Sequence, residues 1–221
     1  VFAVAEAQFK EEDTVFTGIA SQLLTAATAD QPEEVLTDPK DTKVLEGGTS
    51  TEGKKRVDVS RPTAVVEGSD IYMLVGNYTR TAASCQGDSG TAPWGLLLVK
   101  GHVSTGENGE GEKIQWNDTH AVPCAFLHQE QGESWTGLIG SGGLGVHTRD
   151  GKLVFPVEGT KGKTTKDETE KDEKTVSLII TSSKDAKNWK LSKGMSDDGC
   201  SDPSVVEWEK DKLMMMTACD D

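Results

Sequence analysis

Ser182-Ser183-Lys184-Asp185-Ala186-Lys187-Asn188-Trp189 ends a β-branched and apolar run, Val176 to Ser182. Lys193-Gly194-Met195-Ser196-Asp197-Asp198-Gly199-Cys200-Ser201-Asp202-Pro203 and Glu207-Trp208-Glu209 follow it. A strand, a turn of Ser, Asp and Asn, then a large aromatic is a compact β unit, because short polar side chains hydrogen-bond their own backbone in turns. Trp189 and Trp208 read as core residues, since large aromatics contribute mainly buried area. Ser201-Asp202-Pro203 taken alone is an ordinary turn sequence.

Outward from this block the same pattern recurs. Thr63 to Glu67, Ile71 to Gly76, Trp94 to Val103, Lys113 to Trp116, Lys152 to Val157 and Leu213 to Ala218 are short strand-like runs bounded by turn residues. Their spacing predicts an all-β protein. Glu67-Gly68-Ser69-Asp70 and Arg149-Asp150-Gly151-Lys152 predict hairpins, because glycine takes the positive φ that tight turns require. Residues 159–174 are almost entirely Gly, Lys, Thr, Asp and Glu, and they predict a mobile polar loop between two strands. Lys40 to Lys55 reads as a second connection, and Gly18 to Ala29 as either a short helix or a strand.

The chain has 221 residues, enough for one sizeable core. Its 37 acidic against 23 basic residues give a net charge of -14, which disfavours nucleic acid and anionic membranes as partners. No apolar run is long enough to span a membrane as a helix. The opening Val1-Phe2-Ala3-Val4-Ala5 reads as the middle of a strand, so the chain is expected to be a fragment of a longer protein. Cys85, Cys124, Cys200 and Cys219 allow three pairings, and their spacing selects none. Asn77-Tyr78-Thr79 and Asn117-Asp118-Thr119 are glycosylation sequons, fitting a secreted or surface protein.

Two motifs point elsewhere and are set aside. Cys85-Gln86-Gly87-Asp88-Ser89-Gly90 copies the nucleophile segment of trypsin-like proteases, but every histidine lies downstream of Ser89, the wrong order for that fold. Gly140-Ser141-Gly142-Gly143-Leu144-Gly145 has dinucleotide-binding spacing, yet Val146 to Val157 reads as strand, turn and strand, with no helix to hold a phosphate. Close backbone packing is the expected role of these glycines. Scattered histidines and the lack of any Cys-x-x-Cys pair predict no metal, and nothing in the chain calls for a cofactor.

Ser182, Asp185 and Trp189 resemble the Asp-box turn that marks sialidase blades, with Asp185 one place late and Ala186 and Asn188 in place of Gly and Thr. Val57-Asp58-Val59-Ser60-Arg61-Pro62-Thr63, Asp70-Ile71-Tyr72-Met73-Leu74-Val75-Gly76, Trp94 to Lys100, Leu153 to Glu158, and the Gly199 to Pro203 and Glu207 to Glu209 segments resemble the trypanosome trans-sialidase superfamily, especially its surface-glycoprotein branch. That resemblance implies a six-bladed β-propeller followed by a lectin-like sandwich. Residues 1–221 would form roughly the first half of the propeller, without the sandwich.

Active members of that superfamily, as the resemblance implies, use a tyrosine nucleophile with a glutamate, an aspartic acid/base and three arginines on the sialic acid carboxylate. The glutamate position is Asp202 here, one methylene shorter, which withdraws the carboxylate by about 1.5 Å. A misplacement of about 1 Å costs on the order of 100-fold in rate. Alignment through Glu207-Trp208-Glu209 places Ala218 where the second arginine would be, removing a bidentate charge. Arg61 stands where an acidic residue precedes the proline, and it is either a substitute carboxylate ligand or an ion-pair residue. Glu6 and Gln8 replace an aspartate and an arginine of the pocket, and the acid/base aspartate falls within Glu11-Glu12-Asp13. The acceptor-side aromatic would fall near Ser84-Cys85, where none is present.

Together these changes imply a catalytically impaired surface or secreted glycoprotein. Its expected partners are host cell-surface or matrix glycoproteins, or sialoglycans, in adhesion or immune evasion. An active exo-α-sialidase or trans-sialidase is the alternative.

Overall fold

The computed structural model describes residues 2–11, 14–24, 36, 46–47, 55–56, 58–77, 96–105, 112–123, 135–162 and 173–220. Among them the only regular elements are strands. In chain order these are β1 (Phe2–Glu11), β2 (Thr14–Leu23), β3 (Glu46–Gly47), β4 (Lys55–Arg56), β5 (Val59–Glu67), β6 (Asp70–Asn77), β7 (Leu96–Thr105), β8 (Glu112–Ala121), β9 (Trp135–Gly140), β10 (Val146–His147), β11 (Leu153–Gly162), β12 (Glu173–Ser182), β13 (Trp189–Leu191), β14 (Cys200–Glu209) and β15 (Lys212–Cys219).

They form antiparallel sheets joined largely by sequential hairpins. β5 to β8 make a four-stranded sheet in chain order. β11 is central to the next, with β12 and then β13 on one side and β9 and β10 sharing its other edge. β1 pairs β2, β14 pairs β15, and β3 pairs β4 as separate two-stranded ribbons.

The apolar runs explain the stacking. Val65, Tyr72, Leu74, Leu96 and Leu98 pack with Leu138, Leu153, Phe155, Val157, Val176, Leu178 and Ile180, so two sheets share one apolar core. The opposite face of the first sheet, through Val59, Met73, Val75 and Val99, meets Ile19 of β2. The central stretches of β5, β6, β7, β11 and β12 are largely buried on both faces, which is why they are apolar runs with little alternation, whereas β8 at the edge is mostly exposed.

The expected hairpin turns are present. Gly68 and Gly151 sit at φ 57° and 85° in the β5–β6 and β10–β11 turns. The strand reading of Gly18 to Ala29 is right for residues 18–23, and residues 25–30 lie outside the described residues. The polar loop is shorter than expected: residues 159–162 and 173–174 extend the β11–β12 hairpin, with Gly159 opposite Val176 and Gly162 opposite Glu173. Ladder hydrogen bonds do not need apolar side chains, so composition hid them. Residues 163–172, and most of Lys40 to Lys55, lie outside the described residues.

The 182–189 turn differs in detail from its sequence reading. The hydroxyl of Ser183, one place after Ser182, donates to Asp185 Oδ1 at 2.5 Å, and the Lys187 N–H donates to the same oxygen at 3.1 Å. These two bonds hold the Asp185 carboxyl below its ordinary value, the hydroxyl contributing most. Trp189 is buried in the main core, and its indole N–H donates to the Ala186 carbonyl at 2.8 Å. Trp208 is the opposite case, at 68% exposure. It falls at a register shift of the β14–β15 ribbon, between Glu207 and Glu209, on the face that carries Val206, Met214 and Met216. The core reading therefore fails for this tryptophan.

Candidate functional site

Ser60-Arg61-Pro62-Thr63 and Ser201-Asp202-Pro203-Ser204 share a pattern, Ser, variable residue, Pro, hydroxyl residue. Each produces the same local structure. β5 and β14 both carry a register shift at this tetrapeptide, and the variable residue takes a left-handed backbone, φ 51° at Arg61 and 49° at Asp202. A left-handed conformation costs a non-glycine residue roughly 1–2 kcal/mol, and a following proline also favours extended backbone. The bulge spends that energy to turn one side chain out of the sheet.

The two side chains meet although 141 residues separate them. Arg61 Nη2 donates to Asp202 Oδ1 at 2.9 Å and to Glu158 Oε1 at 2.5 Å. It also reaches the Ser141 carbonyl at 3.3 Å. Glu158 Oε1 further accepts the Asp202 main-chain N–H at 2.8 Å. On the other side, the Arg61 main-chain N–H donates to Glu6 Oε1 at 2.5 Å. Four sheets each contribute one residue, Glu6 from β1, Arg61 from β5, Glu158 from β11 and Asp202 from β14.

The glycine run beside Arg61 is a backbone clamp. Residues 141–145 leave the β11 edge and bridge to β5, where the Ala64 N–H donates to the Gly143 carbonyl at 3.1 Å and the Gly145 N–H to the Ala64 carbonyl at 2.8 Å. A Cβ on Gly145 would lie 2.3 Å from the Val154 carbonyl oxygen, and one on Gly140 would lie 2.6 Å from Thr63 Oγ1. Close packing is thus what Gly140 and Gly145 supply, whereas Gly142 has room for a Cβ and sits at φ 83°.

Of the residues singled out from sequence, Glu6, Arg61 and Asp202 are brought together. Gln8 lies two residues beyond Glu6 on the same exposed face of β1, opposite Thr17, and makes no hydrogen bond to the other three among the described residues. Ala218 pairs with Ser201, next to the bulge, and is exposed. Of the two readings of Arg61, the ion-pair one describes the observed geometry. Glu12 and Asp13 and the Cys85 to Gly90 segment lie outside the described residues, and Glu11 closes β1. Asn77 ends β6, while Asn117 is exposed at the β8 register shift. Cys200 and Cys219 form a disulfide across the open end of the β14–β15 ribbon. Cys85 and Cys124 are outside the described residues.

Sequence reasoning missed Glu158. It reads as the polar end of the run Leu153 to Val157, and only the repeated Ser-x-Pro-(Ser/Thr) tetrapeptide hinted that Arg61 and Asp202 occupy matching places needing a common partner. Glu158 is 8% exposed, so the carboxylate and guanidinium satisfy each other away from most solvent.

Two carboxylates, Glu158 and Asp202, bond the Arg61 guanidinium, and a third, Glu6, takes the same residue's main-chain N–H. Such a set suits hydrogen-bond donors and cations better than an added anion, and the Asp202 oxygen nearest Arg61 is already an occupied acceptor. Residues 1–221 match the BNR repeat-like domain over their whole length. The chain belongs to the BNR repeat-like family. Within the family it is similar to a sialidase of Trypanosoma cruzi, 34% identical over 163 residues, covering 72% of this chain and 13% of that protein. Sialidase 85-1.1 of the same organism is 31% identical over 167 residues, 75% of this chain and 21% of that one. These relatives set the BNR repeat-like chain in the trans-sialidase superfamily.

Solved structures agree on the fold. Trypanosoma rangeli sialidase in complex with 2,3-difluorosialic acid superposes with a TM-score of 0.62 at 24% identity, over 99% of this chain and 32% of that one. The microbial sialidase Hz136 gives 0.52 at 17% identity, over 92% and 35%. The all-β sheets described above are thus part of a sialidase-type β-propeller. The chain spans 13% and 21% of the lengths of the two relatives.

Proposed function

We propose that this BNR repeat-like chain belongs to a trans-sialidase-like parasite surface glycoprotein that binds host cell-surface or matrix glycoproteins, in adhesion or immune evasion, without appreciable turnover of sialic acid. One observation carries the reading: the carboxylate at the family's glutamate position, Asp202, is held by the chain's own Arg61, which Glu158 also holds. Both bonds fall on Nη2, and the two carboxylates offset the guanidinium charge and repel a sugar carboxylate. Ala218 supplies no charge in its stead. The sequons at Asn77 and Asn117 are consistent with a surface or secreted location.

The second reading is an exo-α-sialidase or trans-sialidase, favoured by the 34% identity to a protein named for sialidase activity. The intact protein should be assayed with a fluorogenic sialoside, and with a sialyl donor plus lactose, beside Asp202→Glu, Ala218→Arg and their combination. Activity appearing only in the combined variant supports the binding reading. Substantial wild-type turnover would overturn it in favour of the enzyme. Retention of sialic acid without cleavage is a third outcome, read by calorimetric titration with sialyllactose.

A further inference from the structure

Glu158 is the centre of the cluster by geometry. Its Oε1 takes the Arg61 guanidinium at 2.5 Å and the Asp202 N–H at 2.8 Å, and its side chain is 10% exposed against 68% for Asp202. The two carboxylates therefore hold Arg61 unequally. A buried ion pair is shielded little by water and salt, whereas an exposed one is strongly screened. The Arg61 side chain as a whole is 28% exposed, so the residue is not sealed from solvent.

We infer that Glu158 is a specificity-determining residue, an internal carboxylate that occupies Arg61 and so closes an anion-binding position at this site. This inference rests on the binding-without-turnover reading. Neutralising Glu158 as Gln keeps an oxygen to accept the Asp202 N–H while removing the charge that competes for Arg61. The guanidinium, left with the exposed Asp202 as its carboxylate partner, then takes the carboxylate of a sialoside. Asp202 plays the lesser part, because its competing charge already faces solvent.

The test is calorimetric titration of the intact protein with sialyllactose, with lactose as the uncharged control. Glu158→Gln should bind sialyllactose about tenfold or more tighter than wild type, the scale of one charge-assisted hydrogen bond made available. Lactose binding should not change. Adding Arg61→Ala should abolish the gain. The surface variant Asp202→Asn should fold regardless of what Glu158→Gln does, and should tighten binding by only about two- to threefold. No gain in a folded Glu158→Gln variant, a gain that survives loss of Arg61, or a tenfold gain from Asp202→Asn would each overturn the inference. None of these outcomes depends on turnover by the wild type, the result that would instead remove the binding reading.

Discussion

The hydroxyls of Ser177 and Thr217 lie 2.5 Å apart, and Thr217 donates its proton to the Ser201 carbonyl at 2.6 Å. A hydroxyl has one proton, so Ser177 is the donor to Thr217. The chain of bonds joins the fully buried Ser177 of β12 to the strand that carries Asp202, at the point where β14 bulges. Thr217→Val keeps the shape and strands the Ser177 hydroxyl and the Ser201 carbonyl. It should cost about 1–3 kcal/mol, the penalty for buried groups left unpaired. Denaturant unfolding checks this, and adding Ser177→Ala should recover part of the loss, since the two changes share one bond.

Gly145 tests the clamp between sheets. Its substitution by Ala sets a Cβ 2.3 Å from the Val154 carbonyl oxygen and 2.7 Å from Val65 Cγ2. Backbone on one side and a core methyl on the other leave little room to yield. Overpacking of this kind typically costs about 1–3 kcal/mol, so Gly145→Ala should lower the unfolding midpoint clearly. Gly151→Ala should also destabilise, but through its φ of 85°, with nothing near its Cβ.

Ala186 is a residue that the turn would rather have as glycine. Its φ is 59°, in the left-handed region. Ala186→Gly removes the steric cost of that conformation, partly offset by the greater freedom of glycine in the unfolded chain. The net gain should be about 0.5–1 kcal/mol. An unchanged or lower melting temperature would contradict it.

Acid should loosen the same turn through Asp185. Its carboxyl is held below the ordinary 3.8 by the Ser183 hydroxyl and the Lys187 N–H. A depressed folded-state pKa contributes stability that is present above 3.8 and is lost as pH falls through the lower folded value. Asp185→Asn should therefore be less stable than wild type near neutrality, with the two converging as pH drops below about 4. Melting temperatures measured from pH 6 to pH 2.5 read this directly.

The strands were legible where burial wrote apolar runs into the chain, as in Ile71 to Gly76 and Leu153 to Val157. β14 was legible only as a set of motifs, because its Asp202-Pro203 bulge and its Glu207-Trp208-Glu209 end hide any strand period. At the site, the positions of Glu6, Arg61 and Asp202 could be found one at a time. Their meeting could not, since it depends on four sheets stacking in one order and on two bulges turning side chains the same way. Glu158 had no local signal at all. Its role comes from the residues opposite it in space, and charge at the end of a strand is ordinary in sequence.

The disulfide between Cys200 and Cys219 stands one residue away from Ser201 and Ala218, the last paired positions before the bulge. In a two-stranded ribbon a slip of one residue would exchange its faces. The covalent tie forbids that slip whatever side chains occupy positions 202 and 218. Side-chain chemistry at this end of the propeller is therefore separable from its architecture: the residues at positions 202 and 218 can be exchanged, lost or restored while the strands stay in step.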